Sequence, residues 1–113
     1  MKDQRKYVRI PESSQLFYQV ILSDKVVECI TKDISAGGIK FIAQEFIPHG
    51  SHLRIKVNFH KTSFSFEALV RWVWAREIPH SEEYEIGVEF IDIPQDAVKY
   101  LQQYIESLNE TQK

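Results

Sequence analysis

The sequence has little cysteine, glycine or proline, and it has no long apolar stretch. Of its 113 residues, one is cysteine, four are glycine and four are proline. The single thiol, Cys29, excludes a disulfide framework and a thiolate zinc site, and it suits the reducing cytoplasm in which we expect the protein to reside. No apolar run approaches the roughly 18 residues that cross a bilayer. Residues 1–6 are polar and lack the apolar segment of a signal peptide. The sequence therefore predicts neither a membrane span nor a cleaved signal peptide.

Catalytic motifs are also missing. The chain contains no Walker loop, no G-x-S-x-G and no H-E-x-x-H. All four histidines fall in or beside predicted loops, and His49 and His52 would need an added carboxylate to hold a metal ion. Cys29 lies in a predicted strand with no histidine nearby in the sequence, so it is interpreted as a structural thiol. We therefore expect no enzyme activity, no metal site and no cofactor.

The charges are unevenly distributed along the chain. Residues 1–10 hold four basic residues against one acid, and residues 82–113 hold eight acids against two lysines. A short basic arm on a mildly acidic body favours a trap for a small anion over a DNA-binding protein, which spreads positive charge over a whole face. The alternative is a solvated terminus that binds nothing.

Most of the chain alternates between apolar and polar residues, which is typical of half-buried strands. This alternation predicts six strands, over residues 16–22, 26–31, 39–42, 53–59, 64–74 and 84–90. After Pro94 the period changes to that of an amphipathic helix, with its apolar stripe at Ala97, Leu101, Tyr104, Ile105 and Leu108.

Six strands with short turns, followed by one helix, predict a mainly β fold. We expect a six-stranded antiparallel β-barrel, because closure removes the edges that an open sheet would expose. The helix is expected to pack on the barrel or to plug one end. The predicted single domain then consists of a flexible basic arm at 1–10, a barrel at 11–93 and a C-terminal amphipathic helix at 94–109.

Two short motifs carry chemistry that suits a guanine nucleotide. Arg5 and Arg9 form R-x-x-x-R just before the first predicted strand, and their guanidinium groups can bind phosphate oxygens or the guanine edge. Asp33 and Ser35 belong to D-x-S-x-x-G, which ends at Gly38. The carboxylate can accept hydrogen bonds from guanine, and in an extended chain Ser35 would share its face and reach a phosphate. The adjacent glycines would let backbone N–H groups approach a ligand.

Each motif also has an ordinary interpretation. R-x-x-x-R occurs often by chance, and D-x-S-x-x-G is a common turn in which the aspartate caps the backbone and a glycine adopts positive φ. Neither motif alone would identify a nucleotide site.

The order and spacing of the two motifs, on six strands and a C-terminal helix, resemble the PilZ domain family. The resemblance runs from Arg5 to about Leu108 and includes residues 33–39, 70–72 and 84–90. It implies a bacterial second-messenger receptor that binds cyclic di-GMP (c-di-GMP). By matching motif positions, the resemblance assigns the ligand-binding residues as Arg5, Arg9, Asp33, Ser35 and Gly38.

Residues beside these motifs are further candidates for ligand contact. Many family members carry another arginine immediately before R-x-x-x-R, where this chain has Gln4, and residues at this edge help decide whether one or two c-di-GMP molecules bind. The sequence leaves that stoichiometry open. Trp74 resembles a position where some relatives present an aromatic ring to the nucleotide, but it also shares the apolar parity of Trp72, which is predicted to be core. The additional candidates are Gln4, Lys6, Gly37, Trp74 and Arg76.

The sequence thus favours a free-standing PilZ domain that binds c-di-GMP, changes shape and signals through an unidentified output protein. The arm is expected to fold over the nucleotide and build a new surface beside it. One alternative is a degenerate PilZ-fold interaction module that binds no nucleotide. Another is an OB-like barrel that stacks single-stranded nucleic acid on Tyr18, Phe41 and Trp74. The acidic C-terminal third argues against nucleic acid as a partner.

Overall fold

Seven strands and one helix make up the part of the chain that a computed structural model describes, residues 8–111, with side chains described to Leu108. The elements are β1 (Ile10–Pro11), β2 (Gln15–Val20), β3 (Val27–Ile34), β4 (Gly38–Ala43), β5 (His52–Asn58), β6 (Ser65–Glu77), β7 (Tyr84–Asp92) and α1 (Gln95–Thr111). The six longer strands and the helix confirm the mainly β fold predicted from the sequence, and the two-residue β1 is an addition to it.

The six longer strands close into an antiparallel barrel. They follow one another in the order β3, β2, β5, β6, β7 and β4, and β4 pairs back with β3 to complete the ring. The short β1 joins the same edge of β3 as β2 does, with Ile10 opposite Ile34 and Pro11 opposite Asp33. As a result, the segment that follows Arg9 is fixed directly beside the start of the D-x-S-x-x-G motif.

The strand alternation seen in the sequence divides the barrel into an inside and an outside. On β5, for example, Leu53, Ile55 and Val57 are buried, whereas Arg54 and Lys56 are exposed. The first predicted strand ends two residues earlier than expected, at Val20, because Leu22 adopts a positive φ of 77° and turns the chain.

Helix α1 packs on the barrel through the apolar stripe predicted for it. Ala97, Leu101 and Ile105 are buried, and the helix extends to Thr111 rather than ending at 109. Its tyrosines join an aromatic cluster at the β5–β6 turn, in which the rings of Tyr100 and Phe64 stack with their centroids 4.0 Å apart. No helix among residues 8–111 is both long and apolar enough to cross a membrane.

A buried carboxylate connects the helix to the segment between β1 and β2. Glu12 is only 6 % exposed, and its side chain accepts hydrogen bonds from the hydroxyl groups of Tyr104, at 2.8 Å, and Ser14. Burial and the bond to Glu12 raise the pKa of Tyr104, so its hydroxyl stays protonated and donates at neutral pH. The Thr31 hydroxyl donates to the Glu12 carbonyl at 2.6 Å and accepts from the Ser14 amide at 2.9 Å. The helix is therefore joined by the Tyr104 hydrogen bond to the chain just after Arg9.

Substituting the donor in this network is expected to destabilise the fold. Tyr104→Phe leaves one oxygen of a buried carboxylate without its hydroxyl partner, which costs about 1–3 kcal/mol in the free energy of unfolding. Chemical denaturation of the purified variant measures this cost. Tyr100→Phe is the matched control, because the Tyr100 hydroxyl pairs with exposed Thr62 at 2.6 Å, and the loss there should be smaller. If the two variants lost the same small amount of stability, water would replace the Tyr104 hydroxyl at Glu12 without penalty.

Candidate functional site

One row of side chains crosses four strands on the outer face of the barrel. Asp33 on β3 lies opposite Lys40 on β4, Lys40 lies opposite Gly87 on β7, and Gly87 lies opposite Trp74 on β6. Because directly opposite residues of antiparallel strands place their side chains on the same face, this register brings the motif aspartate, a lysine and an aromatic ring together. Gly87 has no side chain, and the Trp74 indole lies over it, next to Lys40.

Two cations hold the carboxylate of Asp33. Arg9 Nη1 lies 2.5 Å from Oδ1, and Lys40 Nζ lies 3.1 Å from Oδ2. The sequence predicts a flexible arm over residues 1–10; in the structure the buried Ile10 anchors β1 on β3, and Arg9 beside it pairs with Asp33. The structure thus joins one residue of each motif, although they lie 24 positions apart.

The Ser35 side chain serves the turn of the D-x-S-x-x-G motif. Ser35 is 2 % exposed, and its Oγ accepts hydrogen bonds from the amides of Gly37 and Gly38, each at 3.1 Å. Its own amide donates to the Gly38 carbonyl at 2.9 Å. This differs from the expectation that the hydroxyl and the glycine amides would face a ligand. That expectation assumed an extended chain, whereas the chain turns at this serine and uses these groups internally.

Gly38 is required because another backbone lies against it. A Cβ atom at this position would overlap the Val88 carbonyl oxygen on β7 and lie 3.2 Å from Glu89 Cα. A positive φ is not the reason, since Gly50 is the glycine that adopts one among the described residues. Gly38 therefore fixes how closely the motif turn sits on β7.

An extra residue in β6 decides the direction of Trp74. Trp72 pairs with Val88 and Trp74 pairs with Gly87, so Val73 is a bulge between two adjacent pairs. Trp72 is 9 % exposed and belongs to the core, as predicted, whereas Trp74 is 36 % exposed on the outer face. The Lys40 ammonium lies 5.5 Å from the centroid of the Trp74 ring, within range of a cation–π contact. Because of this bulge, the Trp74 ring is accessible on the outer face, although the alternation of the sequence places Trp74 with the core residues of the strand.

Arg76, another candidate, pairs with a buried acid beside this row. Glu85 on β7 is 3 % exposed and receives Arg76 Nε at 3.0 Å and Lys32 Nζ at 3.1 Å. Burial alone would raise the pKa of Glu85, but the hydrogen bonds from Lys32 and Arg76 outweigh burial and lower it. Glu85 is therefore ionised at neutral pH, and the Arg76 guanidinium is directed at this carboxylate.

The remaining residues proposed from the sequence to contact a ligand are either outside the described part of the chain or buried. Gln4, Arg5 and Lys6 lie outside the described residues. Two of the three rings proposed to stack nucleic acid, Tyr18 and Phe41, are buried in the barrel at 1 % and 0 % exposure. The expectation that they form stacking platforms was wrong, because alternation along β2 and β4 turns both rings inward.

The thiol of Cys29 does not suit nucleophilic chemistry. It is partly buried on β3, and burial, with a smaller contribution from Glu28, raises its pKa to about 12. The thiolate is therefore scarce at neutral pH.

Lys40 is the residue that sequence reasoning missed. The D-x-S-x-x-G motif stops at Gly38, so nothing in the motif selects a residue two positions later. The signal was the turn itself, because a hairpin that places Ile34 opposite Ile39 also places Asp33 opposite Lys40.

A concave surface of about 420 Å³ lies next to the motif turn. It is bounded by Ala36 and Gly37 of the turn, by Phe90 of β7, and by Val98 and Gln102 of α1. The motif turn thus lines this cleft, whereas Arg9 and Asp33 are not among the residues that bound it.

Comparisons with known proteins give the family of this chain and structures that share its fold. The family model described as PilZ domain matches residues 3–107. No curated protein matches the chain. Among solved structures, Bacillus subtilis inhibitor of motility (MotI/DgrA) superposes with a TM-score of 0.85 at 21 % identity, over 99 % of this chain and 54 % of that one. Escherichia coli YcgR in complex with c-di-GMP gives a TM-score of 0.79 at 18 % identity, over 96 % of this chain and 47 % of that one.

A third similar structure is the Borreliella burgdorferi PlzA protein in complex with c-di-GMP. It has a TM-score of 0.66 at 17 % identity, over 90 % of this chain and 41 % of that one. The chain therefore spans about half the length, or somewhat less, of these three proteins.

Proposed function

The chain belongs to the PilZ domain family, and from that premise we propose that it is a receptor for c-di-GMP that uses the Arg9–Asp33 pair to bind it. Members of this family act as binding or effector modules rather than as enzymes. YcgR and PlzA were both solved with c-di-GMP, which supports the same ligand here. The output is proposed to pass through a partner protein that recognises the ligand-bound shape.

The observation that carries this proposal is the meeting of the two motifs. Asp33 has two acceptor oxygens, and the N1–H and N2–H₂ groups of guanine are two donors in a matching plane. When guanine binds, its donors replace the cations now on Asp33. The Arg9 guanidinium is then released for a phosphate or for the guanine O6/N7 edge. Arg5 is proposed to supply the second guanidinium, on the strength of the motif alone.

The exposed ring of Trp74 offers a further contact. It lies on the same outer face as Asp33, and an accessible indole can stack on a purine base. Gly38 and Ser35 are proposed to act by shaping the turn that positions Asp33, because their polar groups are used within it.

Calorimetric titration with c-di-GMP tests the proposal directly. GTP and a single-stranded DNA oligonucleotide serve as controls, since they share guanine and phosphate groups but not the cyclic arrangement of two of each. Saturable binding of c-di-GMP alone is the expected result. Absence of binding would instead favour the interaction module without a nucleotide.

Selectivity for guanine is the second expected property. Cyclic di-AMP should bind more weakly by about tenfold or more, because adenine offers no matching donor pair to the Asp33 carboxylate. Asp33→Ala should lower the affinity for c-di-GMP and reduce the ratio of that affinity to the affinity for cyclic di-AMP. Titration of both dinucleotides into both proteins measures the change. If Asp33→Ala left the ratio of the two affinities unchanged, this carboxylate would only cap the turn.

A further inference from the structure

The Lys40 ammonium lies between the two groups that the proposed function assigns to guanine. It is 3.1 Å from Asp33 Oδ2 and 5.5 Å from the centroid of the Trp74 ring. Its side chain is 24 % exposed, so solvent and a ligand can reach it. Lys40 belongs to neither sequence motif, yet no other described lysine contacts Asp33 in this way.

The charges at the site show what Lys40 could contribute. Cyclic di-GMP carries two phosphates, each with one negative charge. The proposed function takes two positive charges from Arg5 and Arg9, and the Asp33 carboxylate offsets one of them. Lys40 restores the total to +2, which balances the charge of −2 on the ligand.

We propose that Lys40 is the third cation of the c-di-GMP site and binds a phosphate of the ligand. This inference rests on the proposed function. Guanine takes both oxygens of Asp33, and the displaced ammonium moves to the phosphate at the end of its flexible four-carbon side chain. The same movement uncovers the ring of Trp74, which becomes free to stack on a base.

A purely structural role for Lys40 makes a different prediction. If Lys40 only neutralised Asp33, its removal would strengthen the Arg9–Asp33 pair and affect the ligand indirectly. In that case the effect would disappear once Asp33 itself was neutral. A double-mutant cycle over Asp33 and Lys40 therefore separates the two roles.

The experiment is calorimetric titration of c-di-GMP into the wild type, Lys40→Met, Lys40→Gln and Lys40→Arg. Loss of one charge-assisted bond should raise the Kd about tenfold in the methionine and glutamine variants. Lys40→Arg should remain within about threefold of the wild type, because it keeps the charge. Lys32→Met is the matched control, since Lys32 pairs with Glu85 and not with Asp33, and its Kd should change little.

The cycle is completed by Asp33→Asn with and without Lys40→Met. We expect the methionine to weaken binding about tenfold in this background too, because the phosphate contact does not need the carboxylate. An unchanged Kd for Lys40→Met in either background would overturn the inference while leaving the proposed function intact. Failure of the wild type to bind would overturn the proposed function itself.

Discussion

Replacing both motif arginines, Arg5→Ala with Arg9→Ala, is expected to weaken binding of c-di-GMP by about a hundredfold. Each guanidinium is proposed to make charge-assisted bonds to the ligand, and losing one such group costs on the order of 1.5–3 kcal/mol, or about tenfold or more in Kd. Independent losses add, so the double variant falls furthest. Arg9→Ala has an additional consequence, because it leaves the Asp33 carboxylate with Lys40 as its described ion-pair partner.

Measuring the free energy of unfolding of the arginine variants distinguishes a loss of ligand binding from a loss of folded structure. Arg9 is partly exposed and lies at the edge of the barrel, so its removal should change the free energy of unfolding by about 0.5 kcal/mol or less. Arg54→Ala is the matched control, because Arg54 is exposed on β5, a strand that pairs with neither β3 nor β4. A double variant that binds as tightly as the wild type would place the ligand elsewhere on the protein.

Gly38→Ala is expected to destabilise the fold strongly, by more than the same methyl group would at Gly87. The new Cβ would overlap the Val88 carbonyl oxygen, and that oxygen belongs to a paired strand that cannot move without breaking the sheet. Overpacking against backbone costs about 3 kcal/mol, the upper part of the usual range. Thermal or chemical denaturation measures the loss, and any fall in c-di-GMP affinity should accompany it.

Gly87→Ala is the control for that substitution, because it adds the same methyl group to the neighbouring strand. Its Cβ would lie 2.5 Å from Trp74 Nε1 and 2.7 Å from Cε2, so it meets a side chain at the edge of the barrel instead of backbone. The indole can rotate away, and we expect a loss of about 1 kcal/mol or less together with a change in Trp74 fluorescence. If Gly38→Ala proved as mild as Gly87→Ala, the motif turn would be free to move off β7.

Much of the fold could be predicted because alternation reports burial directly. Residues such as Leu53, Ile55 and Val57 on β5 lie on one face, and the sequence alone assigns them to the core. β1 escaped prediction because two residues, one of them Pro11, show no alternation. Trp74 was ambiguous because a period of two assumes that no residue is inserted, and the bulge at Val73 inserts one.

The candidate site was only partly predictable, since its chemistry depends on pairings between strands. The motifs identified Arg9 and Asp33 by residue type, but their ion pair requires β1 to lie on β3. Ser35 is predicted to reach a phosphate because, two residues after Asp33, it would share the face of Asp33 in an extended chain. The turn geometry that occupies this hydroxyl is not visible in the order of the residues.

The hydrogen bond between Tyr104 and Glu12 also constrains the order in which the chain can fold. It joins residues 92 positions apart, so during synthesis its donor leaves the ribosome only after every strand of the barrel has been made. Contacts of such long sequence separation form late, because closing the intervening loop costs entropy that only an assembled barrel offsets. A nascent chain ending before Tyr104 would therefore leave the Glu12 carboxylate, three residues after Arg9, without this partner. The Glu12 carboxylate therefore gains its tyrosine partner only when the helix docks on the barrel.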